Sequence, residues 1–157
     1  MGINVWNPKI TGLMDSSAIF KIFISALTAI SIDEHNPINP TDNRLFRRMI
    51  RDYKYRGRSA QATLAGWESV LEGERKHIIP YQEQADVMFN TAMIYELAVI
   101  KAQAEPLLRE VPESSSEHSK ALKLLKFLSY VKTLEAVSVP HVSLLREFLG
   151  GSTFKYD

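Results

Sequence analysis

No cysteine occurs in this sequence, so a disulfide framework, a thiolate metal site and thiol redox chemistry are excluded, and a cytoplasmic location is permitted. Long apolar runs are also missing. The longest, Ala18 to Ile32, is broken by Lys21 and Ser25, whereas a bilayer span needs about 20 apolar residues, so no transmembrane helix is expected. The first residues carry no basic stretch ahead of an apolar run, and Trp6 stands where a myristoylation pattern wants Ser or Thr; neither a secretory signal nor a lipid anchor is read there. Net charge is nearly absent at +1, which gives no general attraction for nucleic acid or membranes. The seven glycines are scattered. None falls in G-x-x-x-x-G-K-[ST], the pattern whose backbone amides and lysine cradle nucleotide phosphates, and Gly150-Gly151 is followed by Ser152.

What is present is an ordinary globular composition, 45% hydrophobic and 24% charged over 157 residues, enough to bury a core within one domain. Residues 2 to 19, with Asn7-Pro8, Gly12 and Ser16-Ser17, read as loop and turn. Phe20 to Ser25 reads as a short buried strand. After the proline-punctuated segment Asp33 to Pro40, Thr41 is placed to cap a helix running to about Tyr55 and ended by Gly57. Ser59 is a second N-cap, and helical pattern continues through Leu64, Trp67 and Leu71 towards Lys76, with a break at Pro80. Ala85 to Asn90 and Tyr95 to Ile100 are further strand candidates, the second with helix as its alternative. Ala104 to Glu110 reads as a short helix with Pro106 in its first turn. Glu117 to Lys132 reads as a longer one with Leu124, Leu125, Phe127, Leu128 and Val131 on one face. A last helix spans about Val142 to Leu149 and stops at Gly150-Gly151. The order implies α/β rather than all-α.

The charge is unevenly spread. From Thr41 to Arg58, six arginines and Lys54 stand against Asp42 and Asp52, a local balance of +5 that leaves −4 for the rest. Arg44, Arg47, Arg48 and Arg51 lie at i, i+3, i+4 and i+7, so at about 100° per residue they share one arc of the helix, facing a cleft or solvent. Leu45, Phe46, Met49, Ile50 and Tyr53 take the other side and would dock on a core. Like charges at this spacing repel, and the planar fork of guanidinium suits phosphate, so an anion is expected there. Arg56 and Arg58, flanking Gly57, can fold back towards the same place. The alternative is a solvated basic face paired with carboxylates such as Glu72, Glu74 or Glu83.

The run Thr41 to Ala60 resembles the lid segment of uridine kinases and their phosphoribulokinase-related relatives, whose pattern is roughly D-x-R-L-x-R-R-x-x-R-D-x-x-x-R-G-x-S. Thr63, Trp67, Pro80 and Ala85-Asp86-Val87 continue the likeness. Ile79 to Asn90, Tyr95-Glu96-Leu97 and Leu145 to Gly151 are similar to the bacterial nucleoside kinase branch. This resemblance implies a partial P-loop kinase-type α/β sheet with an arginine-rich helical lid, about residues 41–76, and C-terminal helices, the whole of 1–157 forming one C-terminal kinase segment. It implies that Arg48 and Arg58 contact substrate and that Arg44, Arg47, Arg51 and Arg56 face phosphates. It further implies ATP and Mg²⁺ in the parent enzyme, neither held tightly by this chain, and nucleotide and nucleoside as partners. Relatives in the branch read roughly E-G-I-H-G-L-N-P where this chain reads Met1 to Pro8, with Met1 at the glutamate and Asn4 at the histidine. The expectation is a C-terminal portion lacking the phosphate loop and the general base, hence with no catalytic residue and no activity alone, and with the missing N-terminal kinase half as a partner.

Two other functions compete. The same +5 helix would serve a non-catalytic module binding RNA or other polyanions, and an exposed sheet surface would serve an interaction protein or homo-oligomer. Other constellations carry less. Asp33-Glu34-His35 has no second ligand cluster, so no metal is expected. His77, His118 and His141 are isolated, Ser114 to Ser116 lacks the surroundings of a nucleophile, and Trp67 and Tyr81 can either stack on a base or pack beneath the arginine helix.

Overall fold

The computed structural model describes residues 8–28 and 38–155. In chain order the elements are α1 (Pro8–Thr11), β1 (Ile22–Ser25), α2 (Pro40–Arg56), α3 (Ala60–Ala65), α4 (Trp67–His77), β2 (Val87–Asn90), α5 (Glu96–Arg109), α6 (His118–Ser129) and α7 (Arg146–Leu149), with 3-10 turns at Ser16–Ala18, Ile79–Gln84 and Ala136–Ser138. The class is α/β, mostly helical, with one small parallel sheet. Two compact units emerge, one from Met1–Ser25 with Glu68–Thr91, the other from Ala26–Trp67 with Ala92–Asp157.

The first unit holds the strand pair. β1 and β2 run parallel with Ile22 opposite Val87 and Ser25 opposite Asn90. The ladder is extended at both ends. The Asp86 and Lys21 backbones bond at 2.9 Å, the Lys21 amide also donates to the Asp86 carboxylate at 2.6 Å, and the Thr91 amide donates to Ser25 at 2.8 Å. Parallel strands are normally covered on both faces. Here Phe20, Ile22, Ile24, Met88 and Phe89 all remain exposed, so the strand expected to be buried is not.

The second unit holds the core. Helix α2 packs on α3, α5 and α7, and α5 packs on α6. Leu45, Phe46, Met49 and Ile50 are fully buried, and the Phe46 ring stacks on Phe127 at 6.1 Å. Tyr53, expected beside them, is 49% exposed because it lies past the end of that stripe. The cap of α2 is Asn39, not Thr41. The Asn39 side chain accepts from the Thr41 amide at 3.0 Å and from its hydroxyl at 2.7 Å, and Pro40 then occupies the first helical position, where a missing N–H costs nothing. Gly57 ends the helix as expected, in the left-handed region at φ 59°, and Ser59 caps α3 through the Ala62 amide at 3.2 Å.

Three sequence expectations are corrected. Tyr95 to Ile100 takes its helical alternative rather than the strand: Tyr95 precedes α5, which runs unbroken to Arg109 with Pro106 inside it, so the short helix at Ala104 to Glu110 is the end of a longer one. The buried positions Leu97, Ile100, Ala104, Leu107 and Leu108 recur at helical spacing once the whole length is read. Helix α6 is shorter than Glu117 to Lys132, although Leu124 and Leu128 are buried as expected. The last helix is only Arg146–Leu149, and the Arg146 side chain donates to the carbonyls of Ala136, Val139 and Gly150 on either side of it.

Candidate functional site

The basic face of α2 does not stand open to solvent. The Arg47 guanidinium forms a forked pair with Glu96, the first residue of α5, whose side chain is 1% exposed and also accepts from the Met93 amide at 3.2 Å. A carboxylate in the first turn also lies at the favourable end of the α5 dipole. Asp52, fully buried, is held from both sides at i±4. Arg48 Nε stands 3.3 Å from one oxygen and Arg56 donates to the other at 2.8 Å, while Thr63 Oγ1 adds a third contact at 3.4 Å. Glu96 and Asp52 are thus two carboxylates held against these arginines.

Further along the same helix, residues 147 and 148 lie over the arginine face. Arg51 faces Glu147 at 3.6 Å, Tyr55 donates its hydroxyl to the Glu147 carbonyl at 2.9 Å, Lys54 donates to the Phe148 carbonyl, and the Arg47 guanidinium sits 5.5 Å from the Phe148 ring centre. Burial lowers the pKa of Lys54 from the ordinary lysine range. At the other end of the helix, burial raises that of Asp42 against the opposing pull of Lys120.

The six predicted arginines are thus only partly gathered. Arg48 and Arg56 share Asp52; Arg47 and Arg51 meet the α7 turn; the Arg58 guanidinium instead donates to the Ala62 carbonyl at 2.9 Å. Arg44 is partly buried and has an interaction of its own. Arg51 differs in one respect: its Nε is buried with no hydrogen-bond partner among the described residues, and its contact with Glu147 is an ion pair too long for a hydrogen bond. The i, i+4 spacing of Arg48, Asp52 and Arg56 was readable in the sequence; Glu96 and Glu147 gave no local signal.

The remaining candidates take structural places. Trp67 is 2% exposed and belongs to the core, which excludes a stacking role on the surface. His118 donates from Nδ1 to the Val111 carbonyl at 3.3 Å and His141 to that of Gly151 at 2.6 Å. Ser116 donates to Glu117 at 2.7 Å, and that bond lowers the Glu117 pKa. Asp33-Glu34-His35 lies outside the described residues. Among the described residues no group of three His, Asp or Glu side chains could hold a metal, and no helix is long and apolar enough to cross a membrane.

Residues 38–97 match the family model described as Phosphoribulokinase / Uridine kinase family, so that stretch is similar to a kinase family. The match spans α2, α3, α4 and β2 and ends at the start of α5, so it contains the six arginines, Asp52 and Glu96 but not Glu147. No curated protein and no solved structure matches the chain.

Proposed function

We propose that the chain is the lid-bearing, C-terminal portion of an ATP-dependent nucleoside kinase of the uridine type, within the bacterial branch, and that it acts in the cytoplasm. The observation that carries this reading is the coincidence of the family match at 38–97 with the arginine face of α2. Phosphoryl transfer depends on positioning and on neutralising charge spread over phosphate oxygens, and arginines on a closing segment do both while excluding water. Arg51 fits a phosphate oxygen best, since its side chain is 37% exposed and its guanidinium is held, among the described residues, only by an ion pair too long for a hydrogen bond. Arg44, Arg47 and Arg56 complete the phosphate-facing set, and Arg48 and Arg58 face the nucleoside. ATP and Mg²⁺ are substrate and its counter-ion. The phosphate loop, the general base and the ligands of Mg²⁺ are assigned to another segment, the partner that makes the site whole.

The chain with ATP, Mg²⁺ and uridine or cytidine is expected to form no nucleoside monophosphate. At low salt it is expected to bind tripolyphosphate at one site, with Arg51→Met weakening that binding by about tenfold, the loss of one charge-assisted contact. Equal binding by Arg51→Met and wild type sinks the phosphate assignment. Tight oligonucleotide binding with a steep salt slope would instead identify a polyanion module.

A further inference from the structure

The contacts between α2 and the α7 turn form an internal cover over the arginine that fits phosphate best. Four groups on one stripe of α2, Arg47, Arg51, Lys54 and Tyr55, all meet residues 147 and 148, by ring, carboxylate and two backbone carbonyls. The carbonyls and the ring position the turn, and the Glu147 carboxylate is the one anion it presents to Arg51. That carboxylate is a poor occupant. At 3.6 Å it makes no hydrogen bond, it leaves the buried Arg51 Nε unsatisfied, and both side chains keep water contact at 37% and 26% exposure. Arg47 contrasts with this, since its forked bonds are made to a carboxylate only 1% exposed.

We propose that Glu147 is an autoinhibitory stand-in for phosphate: its carboxylate holds Arg51 while the site is empty, and a phosphate-bearing ligand must displace it to bind. This rests on the phosphate reading of Arg51 given above. A ligand that offers two or three oxygens can meet the exposed terminal nitrogens at hydrogen-bond distance, which the carboxylate at 3.6 Å does not. The competition lowers affinity for weak single anions and lets a polyphosphate through, so it also acts as a filter.

Calorimetric titration of the full-length chain with sodium tripolyphosphate tests this with three variants. Glu147→Gln removes the competing charge and Glu147→Asp keeps it while shortening its reach, so both are expected to tighten binding, the former by about 3- to 5-fold, the size of a part-exposed ion pair. Glu113→Gln, an exposed acid on the loop before α6, carries the same charge change and is expected to leave affinity at the wild-type value. Thermal unfolding of each variant shows whether the fold is kept. Wild-type affinity in both Glu147 variants overturns the stand-in while leaving the phosphate site in place. Tightening in Glu113→Gln equal to that in Glu147→Gln reduces the effect to net charge and also overturns it. Absence of binding in every protein removes the phosphate reading and the stand-in with it.

Discussion

At the scale of single residues, the arginines of α2 differ chiefly in how far water reaches their partners. Glu96 and Arg47 have side chains 1% and 13% exposed, so removing the carboxylate strands a charge in a poorly solvated place. Glu96→Ala is expected to cost about 3–5 kcal/mol, the range for breaking a buried pair by deleting one partner, read as a lower urea midpoint at unchanged slope. A loss below about 1 kcal/mol would mean the pair is screened like a surface one. Asp52 is equally buried, but Arg48 and Arg56 are 26% and 55% exposed and can turn to water when it is removed. Substitution there strands no charge as deeply, which places Asp52 nearer to positioning Arg48 and Arg56 than to holding the core together.

Among the elements, α2 and its exit show how local chemistry fixes an end. Gly57 sits at φ 59° with nothing within 4 Å of the position a Cβ would take, so the objection to a side chain there is backbone strain alone. Gly57→Ala is expected to lose about 1–2 kcal/mol and Gly57→Asn clearly less, since Asn tolerates the left-handed region; thermal unfolding compares them, and equal losses would point to packing. This end was legible in the sequence, as was the Ser59 cap, because both depend on neighbours a few residues away. The start was not, because Asn39 lay between Ile38 and Pro40 in what reads as plain loop. The start of helix α5 stays open between strand and helix in the sequence for another reason. Over the six residues Tyr95 to Ile100, β-branched Val99 and Ile100 resemble a strand, and only the longer repeat through Leu108 shows a helix. The arginine spacing was likewise readable, but not what the arginines meet. Glu96 is 49 residues from Arg47, a pairing set by the packing of α2 on α5, to which no local pattern responds.

For the whole molecule, the sequence set an arginine segment of +5 against a remainder of −4, and part of that remainder returns to it: Glu96 and Glu147 bring two negative charges onto the helix, beside its own Asp52. An anion was expected on physical grounds, and the fold supplies carboxylates first. Stability is also unevenly divided. One unit buries Leu45, Phe46, Met49, Ile50, Ile100 and Leu108 almost completely, while the other contains two four-residue strands whose apolar side chains, apart from half-buried Phe23, stay exposed. A two-stranded pair is marginal in water, and local opening free energies range from near zero to that of global unfolding. Native-state hydrogen exchange should therefore show the amides of Asp86 and Thr91, which donate to Lys21 and Ser25 at the ends of the strand pair, exchanging roughly 100-fold or more faster than those of Met49, Ile50, Ile100 and Leu108. Equal protection would mean that the strands are covered in solution and open only with the core. Fast exchange in the strands beside slow exchange in α2 and α5 would show that the arginine helix keeps its shape while the sheet opens, as a preformed phosphate site on α2 requires.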